Sequence, residues 1–151
     1  MIVYCDTSFL ISLFYEDDSN HKAAQTLAAS FDGDDFVLCQ AHQIEFPAAV
    51  RAAVHRTDSA LPAHSARAII NRFDRAWNGR AYVRRDLNLD DSAAMARTLG
   101  DTHGWKKRHT AFDLWHLAAA WTLGAGVFLT FDPRQQEICR TLAFRTSEER
   151  D

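Results

Sequence analysis

What this chain has little of narrows the possibilities first. Among 151 residues there are three prolines and six glycines, too few and too dispersed for a linker or low-complexity tract, and no segment repeats another. Residues 1–151 are therefore expected to form one domain with one substantial core. Cysteine is equally sparse. Cys5, Cys39 and Cys139 each lie in or beside an apolar run, and an odd count without regular spacing predicts buried thiols rather than a disulfide frame. Cys39 and His42 supply at most half a zinc site, and no second Cys/His pair completes it. A basic excess is missing too. Seventeen Lys and Arg against twenty Asp and Glu leave a net charge of −3, so no global field announces nucleic acid, although local patches act under a slightly acidic total. Long apolar runs are absent as well. Asp6 interrupts the first, which argues against a signal peptide. The stretch 114–131 contains His116, Gly124 and Gly126 and reads as helix, turn and strand rather than a membrane span. A cytoplasmic protein without membrane association is expected.

What is present begins with an uninterrupted apolar run, Ile2 to Cys5, that stops at Asp6. Such a run suits a strand buried on both faces of a parallel sheet. Phe9, Leu10, Leu13 and Phe14 then recur at helical spacing, with Thr7 or Ser8 available as the cap. Asp6 would stand at the carboxyl end of a central strand, where open α/β sheets place their ligands. The alternative is that Asp6 is itself the helix cap. Further along, the spacing predicts a helix over 21–30, a strand over 36–39, and a helix with the stripe Phe46, Ala49, Val50, Ala53 and Val54 and with Pro47 near its start. Pro62 opens another helix and Gly79 ends it. A short edge strand is expected over 81–83, then a helix capped by Asp90 or Asp91 with Ser92, a polar loop over 100–110, and a helix over 111–123 with Gly124 as its C-cap. A strand over 127–131, a helix holding Ile138, Cys139 and Leu142, and an edge segment over 144–146 complete the pattern. Alternation of this kind implies an α/β class fold, a three-layer sandwich around a mainly parallel sheet.

This architecture gathers acids. Asp6 and Asp132 end the first and fourth strands and share a crevice if those strands are parallel neighbours. Glu45 is expected in the first turn of the helix after the second strand, and Asp113 in the first turn of the helix before the fourth. Each acid alone is explained by helix-dipole complementation worth about 0.3–1 kcal/mol. Their recurrence on one side of a sheet is not. Converging carboxylates repel unless a divalent cation neutralises them, and hard oxygen donors suit Mg²⁺ or Mn²⁺ rather than zinc. Such a site activates water and stabilises charge on a phosphate, which points to phosphodiester or phosphoryl chemistry.

The strings Asp6-Thr-Ser-Phe-Leu10, Glu45, Asp113-Leu-Trp-His-Leu-Ala-Ala-Ala120 and Phe128-Leu-Thr-Phe-Asp132 together resemble a PIN domain, and within that family the VapC-type toxins of bacterial toxin–antitoxin pairs. The resemblance implies a Mg²⁺- or Mn²⁺-dependent endoribonuclease, a homodimer, with RNA as substrate and an antitoxin protein as partner. Asp6, Glu45 and Asp113 match the family's three principal acids and Asp132 the fourth. Ser8 and Thr130 match hydroxyl positions that support the acids through hydrogen bonds. Pro133 departs from the pattern, since no further acid follows soon after Asp132, and a second metal is expected to be weakly held. The first two helices are the family's usual place for self-association and antitoxin docking.

Lys106, Lys107, Arg108 and His109, in the loop before Asp113, are expected to position RNA phosphates at the mouth of the crevice, with Trp105 available to stack on a base. His116 is expected to be a packed or hydrogen-bonded histidine, and Trp77, Trp115 and Trp121 to belong to the core or a dimer interface. Two other functions stay open on the residues. One is a phosphoacceptor or phosphohydrolase domain, although Asp132 stands where a receiver needs lysine and Ser8 where the hydrolase needs a second Asp. The other is a PIN-like scaffold that binds RNA or protein without cleaving.

Overall fold

In a computed structural model, residues 1–146 are described. The elements in chain order are β1 (Ile2–Cys5), α1 (Thr7–Phe14), α2 (His21–Ala29), β2 (Asp35–Leu38), α3 (Gln40–Val54), α4 (Ala63–Asn78), β3 (Val83–Arg84), α5 (Leu89–His103), α6 (Ala111–Thr122), β4 (Val127–Leu129) and α7 (Pro133–Thr141). The four strands pair in parallel in the order β3-β2-β1-β4, and Arg145 adds an isolated parallel bridge to Val127 beyond β4. The expected α/β sandwich with a parallel sheet is what the chain forms.

The apolar strands read without alternation because both faces of the sheet are covered. From β1, Val3 and Cys5 enter one cluster with Phe9, Leu10, Phe46 and Phe73. Tyr4 enters the opposite cluster with Leu117, Phe128 and Ile138. β4 divides likewise, Val127 and Leu129 to the first side and Phe128 to the second. Aromatic stacking runs within the layers, with ring centroids 4.5 Å apart for Phe46 of α3 on Phe73 of α4 and 5.6 Å for Tyr4 of β1 on Phe128 of β4. The chain leaves β1 toward β2 and β3, then returns on the other side as β4. The direction of winding therefore reverses between β1 and β4, and in an open α/β sheet the crevice at such a point, outside the carboxyl ends of the strands, is where ligands bind.

Several boundaries differ from the sequence expectation, for local reasons. Asp6 itself caps α1 through the Phe9 amide, and Thr7 is already helical, so neither Thr7 nor Ser8 is the cap. α3 begins at Gln40 because the His42 ring reaches back, its Nδ1 accepting the Cys39 amide at 3.1 Å. Pro47 consequently lies inside the helix, and Glu45 is its sixth residue rather than a first-turn residue. Asn88, not Asp90 or Asp91 with Ser92, caps α5 by accepting the Asp91 amide. α5 runs on through Gly100 to His103, shortening the expected loop. A Cβ at Gly100 would stand 3.3 Å from Leu114 Cδ1, which is the close approach of α5 to α6 that glycine permits. β4 stops at Leu129, releasing Thr130 and Phe131 from the ladder. Gly124 falls just past the C-cap Leu123, where its φ of +71° lets the Ala125 amide reach the Ala120 carbonyl at 2.9 Å.

Trp121 is 52% exposed and belongs to no core, whereas Trp77 and Trp115 pack beside the two clusters as expected. Among the described residues no helix is long and apolar enough to cross a membrane. Phe128, fully buried on the central face of β4, is the sharpest test of this packing. Phe128→Ala is expected to lower unfolding free energy by about 3–5 kcal/mol, read as a fall in denaturant midpoint at unchanged slope.

Candidate active site

At the carboxyl edge of β1 and β4 lies a cleft of about 260 Å³, lined by Asp6, Glu45, Asp113 and Asp132 together with Thr7, Ser8, Arg56, His116, Arg134 and Gln135 among others. All four acids singled out by sequence thus face one crevice.

Asp6 is the innermost of them, 4% exposed. Its Oδ1 accepts the Phe9 amide at 2.7 Å, and its Oδ2 accepts Ser8 Oγ and Thr130 Oγ1, both at 2.8 Å. Ser8 and Thr130, the two hydroxyls singled out in the sequence, thus both hydrogen-bond the Asp6 carboxylate. Thr130 also accepts the Asp132 amide at 3.0 Å, tying the end of β4 to the end of β1. Burial pushes the Asp6 carboxyl above the ordinary carboxylate range, and these neutral donors offset it only in part.

Glu45 reaches the cleft from the second turn of α3. Its Oε2 accepts Thr7 Oγ1, and Nε2 of the buried His116 lies 2.6 Å from the same oxygen. On the far side of that ring, Tyr4 Oη stands 2.7 Å from His116 Nδ1. A hydroxyl donating to Nδ1 places the imidazole proton on Nε2, so the ring delivers an N–H to Glu45. Burial raises the Glu45 carboxyl, but the His116 and Thr7 contacts outweigh it and the net shift is downward. His42 packs beside this ring, centroids 4.9 Å apart. Its Nδ1 accepts from Cys39, so its Nε2 donates to the Cys5 carbonyl at 2.8 Å, and burial lowers its pKa to about 3. His42 is thus neutral and structural, supporting β1 one residue before Asp6.

Asp113 is the third helical residue of α6 and shares a reciprocal cap with Thr110. Its Oδ2 accepts the Thr110 amide at 2.7 Å, while Thr110 Oγ1 accepts the Asp113 amide. Its Oδ1 accepts from Gln135 Nε2 at 3.2 Å. Asp132 caps α7 through the Arg134 amide, and the Arg134 guanidinium lies along its carboxylate. Burial raises the Asp132 carboxyl, but Arg134 brings it below its usual value.

Lys106, Lys107, Arg108 and His109 are not brought into the cleft lining. Lys107 pairs with Glu137, and the loop meets the site through the Arg108 carbonyl, which accepts Arg134 Nη1 at 3.0 Å. Trp105 is 89% exposed beside them. Arg56, Arg134, Gln135 and the Tyr4–His116 relay were not picked out as site elements by sequence. Arg134 and Gln135 follow Asp132 directly on a helix opened by Pro133, and that spacing was the available signal.

The donor chemistry suits a hard divalent cation. The cleft offers carboxylate and amide oxygens, and Gln135 Oε1 is buried without a hydrogen-bond partner among the described residues. No three His, Cys, Asp or Glu side chains among those residues form a ready-made coordinating group. That combination disfavours an all-protein cage. A divalent cation there would have to keep most of its waters and bind through one or two carboxylates.

An α/β sandwich with an acidic cleft at the switch point of its sheet defines the class, and comparison with known proteins places the chain within it. The PIN domain family matches residues 3–141, and the chain belongs to that family. Its fold is that of VapC20 from Mycobacterium tuberculosis, described as a sarcin-ricin loop cleaving toxin, with a TM-score of 0.68, 16% identity, and coverage of 90% of this chain and 94% of that one. VapBC-1 from nontypeable Haemophilus influenzae gives a TM-score of 0.60 at 18% identity over 99% of this chain and 100% of that one. VapBC2 from Rickettsia felis, solved with a DNA fragment from its promoter, gives 0.64 at 12% identity over 97% and 98%. No match was found among curated proteins.

The burial of Asp6 has a measurable consequence. Its folded pKa lies above the ordinary value near 3.9, so ionising it costs more in the fold than in the unfolded chain. That contribution opposes stability increasingly as pH rises from about 4 through the raised folded value. Metal-free Asp6→Asn is therefore expected to melt higher relative to wild type at about pH 7 than at about pH 4. About 1 kcal/mol moves the midpoint roughly 2–4 °C in a chain of this size, so scanning calorimetry at the two pH values resolves it. His116→Ala, which strips Glu45 and buried Tyr4 of a shared partner, is expected to destabilise by about 1–3 kcal/mol, measured by denaturant unfolding.

Proposed function

We propose that this chain is a divalent-metal-dependent endoribonuclease acting as the toxin of a toxin–antitoxin pair. The observation that carries this is the state of Asp6. It is a carboxylate buried at the sheet's switch point, facing three other acids across one cleft, whose hydrogen-bond donors Ser8, Thr130 and the Phe9 amide are all neutral. A buried anion without a matching cation is costly, and a site built to keep one is a site built for an external positive charge.

Asp6 and Asp113 are the residues that would hold the ion, with Glu45 beside them. When bound, Mg²⁺ or Mn²⁺ supplies an activated water and neutralises charge on the phosphate under attack. The chain's own residues do the rest. Ser8 and Thr130 fix the plane of the Asp6 carboxylate, Thr7 and His116 hold one oxygen of Glu45, and Gln135 steadies Asp113. Fixed orientation of this kind removes reorganisation from the reacting step. A single-stranded RNA crossing the cleft would run past the exposed side chains of Trp105, Lys106 and Arg108, with His109 half-buried behind them. Family membership weighs against the phosphoacceptor and phosphohydrolase alternatives. The VapBC relatives support a protein antitoxin as partner, the resemblance supports a homodimer, and a cytoplasmic setting suits both.

RNA incubated with purified protein and Mn²⁺ is expected to be cut internally, with cutting abolished by chelator. Asp113→Asn is expected to lower the rate by about 10²–10³-fold, the loss typical of removing one preorganised electrostatic group. Binding of RNA without turnover in any divalent metal would instead identify a non-cleaving scaffold.

A further inference from the structure

Asp132 and Arg134 are bound to each other more completely than a helix cap requires. Besides the Arg134 amide at 2.8 Å, Asp132 Oδ1 accepts Arg134 Nε at 3.1 Å, and Oδ2 accepts Nε at 3.2 Å and Nη2 at 2.6 Å. Arg134 Nη1 is anchored separately by the Arg108 carbonyl at 3.0 Å. The guanidinium is thereby held at several points, across the gap between the loop before α6 and the start of α7. Both oxygens of Asp132 are occupied by a cation that belongs to the chain itself. Arg134 nonetheless lines the same cleft as Asp6, Glu45 and Asp113, and its side chain keeps 45% of its surface open against 19% for Asp132.

The backbone explains why this arrangement forms here. Pro133 is the first helical residue of α7, where its missing amide is no loss and its fixed φ starts the helix. Asp132 is the cap immediately before it, and Arg134 the second helical residue. A residue at that position normally turns along the helix. Here its guanidinium folds back over the N-terminus onto the cap carboxylate, whose charge offsets the cost of holding a cation at the positive end of the helix dipole. A planar fork meeting a carboxylate edge is the preferred geometry for such a pair, and lysine could not reproduce it.

Resting on the function proposed above, we propose that Asp132 is not a metal ligand but the seat of Arg134, and that Arg134 is a fixed cation that contacts the scissile phosphate. The cleft then has two unlike sides. Asp6 and Asp113, with neutral donors around them, receive an external cation. Asp132 is neutralised from within and presents a guanidinium toward the substrate. A guanidinium suits this task because its remaining N–H bonds can take two phosphate oxygens while the Asp132 contacts hold it in place. It also answers the departure noted after Asp132, where no further acid follows within four residues to hold a second metal. Charge on the phosphate is met by one external cation and by one arginine, so a second metal is not needed.

The test compares wild type, Asp132→Asn, Arg134→Ala, Arg134→Lys and the double variant Asp132→Asn/Arg134→Ala, with RNA cleavage and Mn²⁺ binding by calorimetry measured on each. Arg134 is exposed, so its variants fold, and circular dichroism checks this. Arg134→Ala is expected to lower kcat for RNA by about 10²–10³-fold, in the range seen when one preorganised donor is removed. Arg134→Lys recovers part of the loss, added guanidinium chloride at low concentration restores part of the activity of Arg134→Ala, and the double variant is no worse than the poorer single one. Mn²⁺ affinity and stoichiometry stay at the wild-type values throughout. Loss of Mn²⁺ binding in Asp132→Asn, or tighter Mn²⁺ binding in Arg134→Ala, would overturn the inference by making Asp132 a ligand and Arg134 its competitor. Wild-type cleavage by Arg134→Ala would overturn it as well. A wild-type protein that cuts no RNA in any divalent metal would overturn the functional reading itself, and this inference with it.

Discussion

The arrangement depends on one buried carboxylate. Asp6 closes β1, caps α1 and accepts hydrogen bonds from Thr130 at the end of β4, so a single side chain links the first strand, the first helix and the last strand. Each of those roles is structural, and none of them requires an acid. Asparagine would cap the helix and accept the threonine proton about as well. What an acid adds is a negative charge that burial makes expensive and that its neutral donors do not cancel. A fold that tolerates this at the switch point of its sheet has given up some stability for a charge in a particular place, as functional sites commonly do.

The other acids show how differently the same chemical group is handled within one cleft. Glu45 is held by a relay that begins deep in the core, Tyr4 to His116 to Glu45, so its position is inherited from the packing under β1. Asp113 is held by its own helix cap and by Gln135. Asp132 is held by Arg134 and through it by the loop before α6. The carboxylates therefore converge without a preassembled coordinating group. Each is partnered by the protein first, and a hydrated cation can be accommodated without those partners being released.

Much of this was legible in the residues. The run Ile2–Cys5 ending at an acid gave the central strand and the place of Asp6, because a doubly buried strand admits no other pattern. Asp113 stands in a first helical turn as its spacing predicts, whereas Asp132, expected at the end of the fourth strand, lies three residues beyond β4 and caps α7 instead. Glu45 was placed a turn too early because Pro47 resembles a helix opener, whereas His42 reaching back to the Cys39 amide starts α3 at Gln40. Asp6 was weighed as either a cap or a ligand-facing acid, and it is both a cap and a cleft residue. The side chains of the basic loop before Asp113 do not line the cleft, and the loop meets it through the Arg108 carbonyl and through the charge interaction of His109 with Asp113 and Asp132. Spacing reports which face a residue occupies. It does not report whether a long side chain such as Arg134 extends outward or folds back on a neighbour, since that choice is set by which oxygens three-dimensional packing leaves nearby.

The central claim is that the cleft receives a divalent cation against Asp6 and Asp113. Anomalous diffraction from crystals equilibrated with Mn²⁺ addresses it without any assay of turnover. The account predicts one strong peak in the cleft, at roughly 2 Å from oxygens of both aspartates, with the rest of the coordination sphere filled mainly by water. A cleft without anomalous density at saturating Mn²⁺, or a peak seated elsewhere on the molecule, would contradict it.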